Sequence, residues 1–252
     1  MGNGPAPFSE IRKIVEDLFT KGYQYDKKIS LSVPGLTLTF KEGKSNADTL
    51  TTVSTNLTVN EVLPHTKAEL RFEIPDCSSG KLDVQYLHPR VAIGSSIGLN
   101  SSPLLDVAAA VGYKDLHLGG EVGFDTASNS FTKYTAGIGF FNLQENLSIA
   151  LFLMDKGQTL KLSSALSITS KNLAFYEIAH RFSSSETSFN FGSAHIIDRY
   201  NKVKTKFSDT GKVAMVWQRE LRPKSFVSVS AEYDTFRPKV FPKWGLSLAL
   251  GL

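Results

Sequence analysis

Apolar and polar positions alternate one for one along most of this chain, most cleanly at its end. There Trp244, Leu246, Leu248, Leu250 and Leu252 alternate with Gly245, Ser247, Ala249 and Gly251. Successive side chains of a strand point to opposite faces, so one face is large and apolar and the other small and barely polar. Such a strand suits a half-buried sheet, or a wall with lipid on one side and water on the other. The pattern recurs. Ile29, Leu31 and Val33 alternate with Lys28, Ser30 and Ser32, and Leu36, Leu38 and Phe40 with Thr37, Thr39 and Lys41. Residues 81–86, 116–124, 133–140, 159–168, 212–218 and 227–233 repeat it. Turn chemistry separates the runs at Pro34-Gly35, Asp125 to Asn129, Asp155-Lys156-Gly157, Ser183 to Ser185 and Asp209-Thr210-Gly211.

The runs predict about 17 strands of about 9 to 11 residues, one every 13 residues or so. Sandwich domains also space their strands closely. Here, however, one parity is almost always Gly, Ser, Thr, Lys or Glu, and that face cannot form a dry core between two sheets. Closing the strands into one barrel removes the edges, and at this strand number the interior holds water. The chain is therefore read as all-β, a transmembrane antiparallel β-barrel of about 17 strands (17–19). With an odd count the first and last strands run the same way, so Lys28–Val33 is expected to pair in parallel with Trp244–Leu252.

The N-terminus breaks the pattern. Pro5 and Pro7 stiffen the approach, Ser9 is placed to cap a helix, and Ile11, Ile14, Val15 and Leu18 share one helical stripe. Arg12, Lys13, Glu16 and Asp17 cover the remainder, and Gly22 can end the helix. The expectation is an amphipathic helix over about Ser9–Lys21. Residues 1–24 then form a helical segment and residues 25–252 the barrel.

Composition narrows the function classes. Hydrophobic residues make up 41% and charged residues 21% of the 252, a folded rather than disordered balance. Mean hydropathy is −0.11. No apolar run is long enough for a transmembrane helix, which leaves a barrel untouched because its strands average out. The net charge of +4 is a mild bias that suits anionic solutes or anionic lipid as well as nucleic acid. Cys77 is the single cysteine, so no intrachain disulfide or thiolate metal site can be built. Met1 to Pro7 carry no secretory h-region, and Ala6 stands where an N-myristoylation signal wants Ser or Thr. A Gly-rich phosphate loop, metal-spaced histidines and a nucleophile elbow are not found, so neither an enzyme nor a metal or cofactor site is expected. Gly119-Gly120 and Gly137-Ile138-Gly139 sit inside strand patterns and are read as close-packing positions.

The sharpest charge pattern is Lys202, Lys204 and Lys206 on one parity, with Lys212 beyond the next turn. On a soluble strand these would be an ordinary wetted face. In a barrel that face is the lumen, where cations favour anions over a screening length of about 8 Å. Lys133 and Lys161 join this set, Lys171 and Arg181 can add to it, and Glu121 and Glu177 oppose it.

Several segments resemble the voltage-dependent anion channels, the mitochondrial outer-membrane porins, and their plant branch most closely. Phe8 to Ile11 followed by Asp17 to Tyr23 looks like the family's N-terminal helix and its exit. Val84 to His88, Ser96 to Leu99, Phe124 to Ala127, Phe131 to Tyr134, Asp155 to Gly157 and Arg222 to Ser225 are similar to plant members. So are His195 to Asp198, Thr205 to Asp209 and Ala214-Met215, although Arg199, Asn201 and Trp217 depart from the usual residues there.

The resemblance implies a voltage-gated, weakly anion-selective channel passing small ions and metabolites across the mitochondrial outer membrane. Its partners would be membrane lipid and small anions such as nucleotides; homo-oligomerisation is left open, and nucleic acid is not expected. The helix would lie in the lumen, with Ile11, Ile14, Val15 and Leu18 on the wall and Arg12 and Lys13 facing the ion. Glu16 stands where plant relatives tend to be basic, which weakens the expected anion preference. Lys243, Gly245, Leu248 and Leu250 are similar to the family's sorting signal. The family's 19-stranded barrel carries an additional hairpin where this chain runs from Lys41 to Leu50. The alternatives are a narrowed or nonconducting porin-like barrel with a structural or docking role, and a soluble β protein that binds lipid or carbohydrate.

Overall fold

The computed structural model describes residues 7–45, 48–60, 64–75, 79–142, 147–237 and 241–251. The expectations placed on Met1 to Ala6, Cys77 and Leu252 lie outside those residues.

One helix, α1 (Phe8–Thr20), precedes the strands. The first nine strands are β1 (Lys27–Val33), β2 (Leu36–Ser45), β3 (Asp48–Asn60), β4 (Thr66–Ile74), β5 (Lys81–Leu87), β6 (Val91–Gly98), β7 (Leu104–Tyr113), β8 (Leu116–Asp125) and β9 (Ser130–Asn142). They are followed by β10 (Leu147–Met154), β11 (Thr159–Thr169), β12 (Asn172–Arg181), β13 (Glu186–Ile196), β14 (Asn201–Ser208), β15 (Lys212–Arg222), β16 (Ser225–Asp234) and β17 (Lys243–Gly251). Every strand pairs with the next, and β1 pairs with β17, so the 17 strands close on themselves. The expected turns all connect neighbouring strands, and strand lengths run from 7 to 13 residues.

The closing pair is parallel, from Lys27 opposite Leu246 to Ser32 opposite Gly251. Ile29 meets Leu248 and Leu31 meets Leu250, so the apolar parity continues across the seam. A slip of one residue would turn every leucine of β17 inward, so the alternation itself fixes the register. Large apolar side chains cover the outer face, among them Leu57, Val59, Ile93, Leu118, Val107 and Met215, all exposed. That is the arrangement of a lipid-facing wall.

The buried core is inside the barrel rather than between sheets. Phe8 and Ile11 pack with Ala92, Ala110, Ala150 and Phe152. Phe19 packs with Ala165 and Phe175, and Tyr23 with Ala214 and Val216. The helix thus lies in the lumen, but its register differs from the expected stripe. Ile14 is 41% exposed, whereas Phe8 and Ile11 are each 1% exposed. Leu18 is half-buried beside Phe19, and the side chain of Val15 is outside the description. The helix also starts one residue early. Pro7 is its N-cap and Ser9 falls in its first turn, without a side-chain cap bond. Proline suits a helix start because the missing N–H has no partner to lose there.

The β2–β3 ladder runs from Leu36 opposite Leu57 to Ser45 opposite Asp48. β1 leaves β2 at Glu42, and β4 joins β3 only at Val53. Beyond those points the ribbon has no lateral strand on either side among the described residues. This single long hairpin stands where the resemblance placed an additional one.

At the β13–β14 turn Asp198 acts as a local cap. Its Oδ1 accepts from the backbone N–H groups of Tyr200 and Asn201, both at 2.8 Å, and its Oδ2 from Asn201 Nδ2 at 2.7 Å. The Asn201 amide first, then the backbone N–H of Tyr200, hold the carboxyl below the usual aspartate range. A carboxylate depressed in the folded state adds stability above its unfolded pKa and loses it as pH falls through the folded one. A carbon-13 titration should therefore place the Asp198 midpoint below about 3.9. A midpoint at or above that value would show that the turn does not close on Asp198.

Candidate functional site

The lumen is asymmetric, because α1 packs against β6, β7, β8, β10 and β11 and leaves the opposite wall open. Small inward residues make this docking close. A Cβ on Gly119 would lie 2.5 Å from the Phe8 ring, and one on Gly139 would lie 3.0 Å from Ile11. These glycines therefore admit the helix, beyond the strand packing expected of them. On β1 and β2 the open wall carries hydroxyls together with Lys28 and Lys41, which share their inward parity. Ser30 and Thr39 hydrogen-bond across β1–β2 at 3.1 Å, and so do Ser32 and Thr37.

Charges gather on the helix side in an alternating ladder. Lys161 Nζ lies 2.9 Å from Glu177 Oε2 and 2.9 Å from Glu16 Oε1. Arg12 lies 3.3 Å from Glu16 and 3.5 Å from Glu121, which also pairs with Lys133. Arg12 and Glu16 are four apart and so share a helix face. Lys161 and Glu177 come from β11 and β12, and Glu121 and Lys133 from β8 and β9. Three acids and three bases thus form one chain of contacts from β12 through the helix to β9.

Two lysines hold the other end of the helix. Lys206 Nζ donates to the Phe19 carbonyl at 3.1 Å and lies 4.4 Å from the centre of the Tyr23 ring. Lys204 Nζ donates to the Lys21 carbonyl at 3.4 Å. Cations are favoured at a helix C-terminus because its last carbonyls lack intrahelical partners. Gly22, at φ +94°, then turns the chain over Val216. The strap continues through Gln24, whose carbonyl accepts from the buried Ser230 hydroxyl and lies against Gly245.

The eight cations expected to attract anions therefore fall into three groups. Arg12, Lys133 and Lys161 are in the ladder, and Lys204 and Lys206 clasp the helix end. Lys13, Lys202 and Lys212 are exposed. Lys13 lines a cavity of about 260 Å³ with Ser9, Arg71, Lys81 and Lys133. Arg71 pairs with Glu69 and Asp83, and Lys81 lies 3.8 Å from Asp106. Among the described residues, Lys13 is the lining cation without an ion pair. Lys212 and Lys243 stand with Glu232 and Asp234 in a second cavity of about 500 Å³ at the β15–β17 mouth. Of the expected sorting residues, Lys243 is at that mouth, Gly245 is under the strap, and Leu248 and Leu250 are in the seam.

Sequence reasoning missed the wall contacts of Phe8 and Phe19, the Tyr23 clasp and the bridging role of Glu16. The Arg12/Glu16 spacing was a visible signal for the last of these. The packing aromatics had none, because they depend on which wall the helix meets.

Residues 28–244 match the eukaryotic porin family. The chain is 43% identical to mitochondrial outer membrane protein porin 4 of Arabidopsis thaliana, over 99% of both chains. It is 42% identical to mitochondrial outer membrane protein porin 6 of Oryza sativa subsp. japonica, again over 99% of both. The first of these alignments runs over 274 positions against a chain of 252, so the relative carries internal residues that this chain lacks. Among solved structures, a mutant of the Rh. blastica porin superposes with a TM-score of 0.53 at 11% identity, covering 75% of this chain and 88% of that one. That likeness is one of fold.

Proposed function

The chain belongs to the eukaryotic porin family, and on that premise we propose that it is a voltage-gated, weakly anion-selective channel of the mitochondrial outer membrane. The observation that carries this reading is the closed barrel, with an apolar outer face, a hydroxyl- and charge-lined inner face and a helix docked on only one wall. Lipid would surround the outer face. Small anions and metabolites would pass along the open wall of Ser30, Ser32, Thr37 and Thr39. The weakness of the preference follows from the ladder, which pairs Arg12, Lys133 and Lys161 with acids and, of the eight expected cations, leaves Lys13, Lys202 and Lys212 exposed and without an ion pair among the described residues.

A second reading has a specific observation behind it. Barrel diameter grows with strand number, and 17 strands enclose the whole of α1. A barrel narrowed in this way could serve structure or docking rather than flux. Reconstitution separates the two. Purified protein in a planar bilayer with a potassium chloride gradient should open channels whose reversal potential favours chloride, and should close partly as voltage rises. Intact barrels without conductance would support the second reading. Firm potassium selectivity would overturn the first.

A further inference from the structure

We propose that Glu16 is the specificity-determining residue of this pore: its carboxylate turns a cationic wall into a neutral one and so keeps the anion preference weak. The inference deepens the channel reading and rests on it. Glu16 occupies the one ladder position that bridges two cations from the helix side, with Arg12 on its own helix face and Lys161 on β11. Without its charge, Glu121 and Glu177 are left to face Arg12, Lys133 and Lys161, and the ladder changes from neutral to cationic.

Glu16 is also the ladder acid nearest the water path. Its side chain is 25% exposed, against 13% for Glu121 and 14% for Glu177. A charge close to water acts on passing ions rather than only on its partners, within about one screening length.

The test is the chloride-to-potassium permeability ratio, read from the reversal potential in a potassium chloride gradient. Glu16→Gln keeps an oxygen that can accept from Lys161 and Arg12 but removes the charge. It should raise the ratio about twofold, the effect of a unit charge about 8 Å from the ion path after screening. Lys161→Gln should move the ratio the other way. Glu186→Gln, the same charge change at the first residue of β13, at the barrel mouth and away from the helix, should shift it less than Glu16→Gln does. Resistance of the helix to trypsin should be unchanged in all three.

No shift in Glu16→Gln, or a shift toward potassium, in a channel whose wild type conducts would overturn this proposal and leave the channel reading standing. A shift seen only together with release of the helix to trypsin would assign the effect to helix position and overturn it too. A wild type without conductance would remove both.

Discussion

Gly245→Val is expected to abolish assembly of the closed barrel with its helix inside, or to leave a residue of folded protein that melts well below wild type. The reason is a crossing of backbones. The strap from α1 to β1 passes over β17 at Gly245, where a Cβ would fall on the Gln24 carbonyl oxygen and lie 2.8 Å from the Gln24 carbonyl carbon and from Tyr25 Cα. These are main-chain atoms, so no rotamer change relieves the clash. The strap cannot lift freely either, because Ser230, 2% exposed, donates to the same carbonyl, and Lys204 and Lys206 hold the chain just before it.

Overpacking of this kind lies at the upper end of its usual range, about 3 kcal/mol. For a chain of this length that corresponds to a fall in melting temperature of about 10 °C. The damage reaches the seam, since Leu246, the next residue, is the first partner of Lys27. Ser247→Ala, two residues on along the same inward face, should melt like wild type. Equal melting of wild type and Gly245→Val would show that the strap does not run across β17. It would also separate any effect of Gly245 on membrane targeting from its effect on folding.

The same residue shows where the sequence was legible and where it was not. Alternation placed Gly245 on the inward face of the last strand, and the odd strand count made that strand the parallel partner of β1. Both are properties of the backbone, whose periodicity is written into every second residue. That Gly245 is a notch for Gln24 depends on the path of a segment more than 200 positions away in the chain, which no local pattern encodes. The helix behaves alike. Its existence and span were readable from its spacing to within a residue at each end. Which of its faces meets the wall was not, because Phe8 rather than Ile14 fits the cradle that Gly119 opens beside Ala110.

The cations divide on the same line. The parity of Lys202, Lys204 and Lys206 put all three in the lumen. That two of them are spent on helix carbonyls follows only from where α1 ends. Local pattern thus reads wall, face and seam. What the lumen offers an ion is set by the helix lying in it.

That dependence gives the second large expectation: Phe8→Ala combined with Ile11→Ala should free the first half of the helix while leaving the barrel intact. Phe8 and Ile11 are each 1% exposed and bury themselves among Ala92, Ala110, Ala150 and Phe152. Truncating such side chains costs about 3 to 5 and about 2 to 5 kcal/mol respectively. Here the loss falls on the contact between helix and wall, since neither residue belongs to a strand. The ladder cannot compensate. Its links to the wall, Arg12 with Glu121 and Glu16 with Lys161, join side chains 13 to 25% exposed, and charged hydrogen bonds of this kind contribute about 1.5 to 3 kcal/mol each, less than the two truncations remove together. Lys204, Lys206 and the Gln24 strap would still hold the far end, so the helix should swing rather than leave.

Trypsin cleavage after Arg12 and Lys13 should then quicken about a hundredfold or more, because cleavage follows the population of the open form. The barrel's own melting should hardly change, since all 17 strand pairings remain. In the bilayer the same variant should conduct with larger fluctuations as the loose helix enters and leaves the ion path. Unchanged cleavage would mean that the ladder, not the apolar cradle, holds the helix. In that case Glu16→Gln rather than Phe8→Ala with Ile11→Ala would be the variant that releases it.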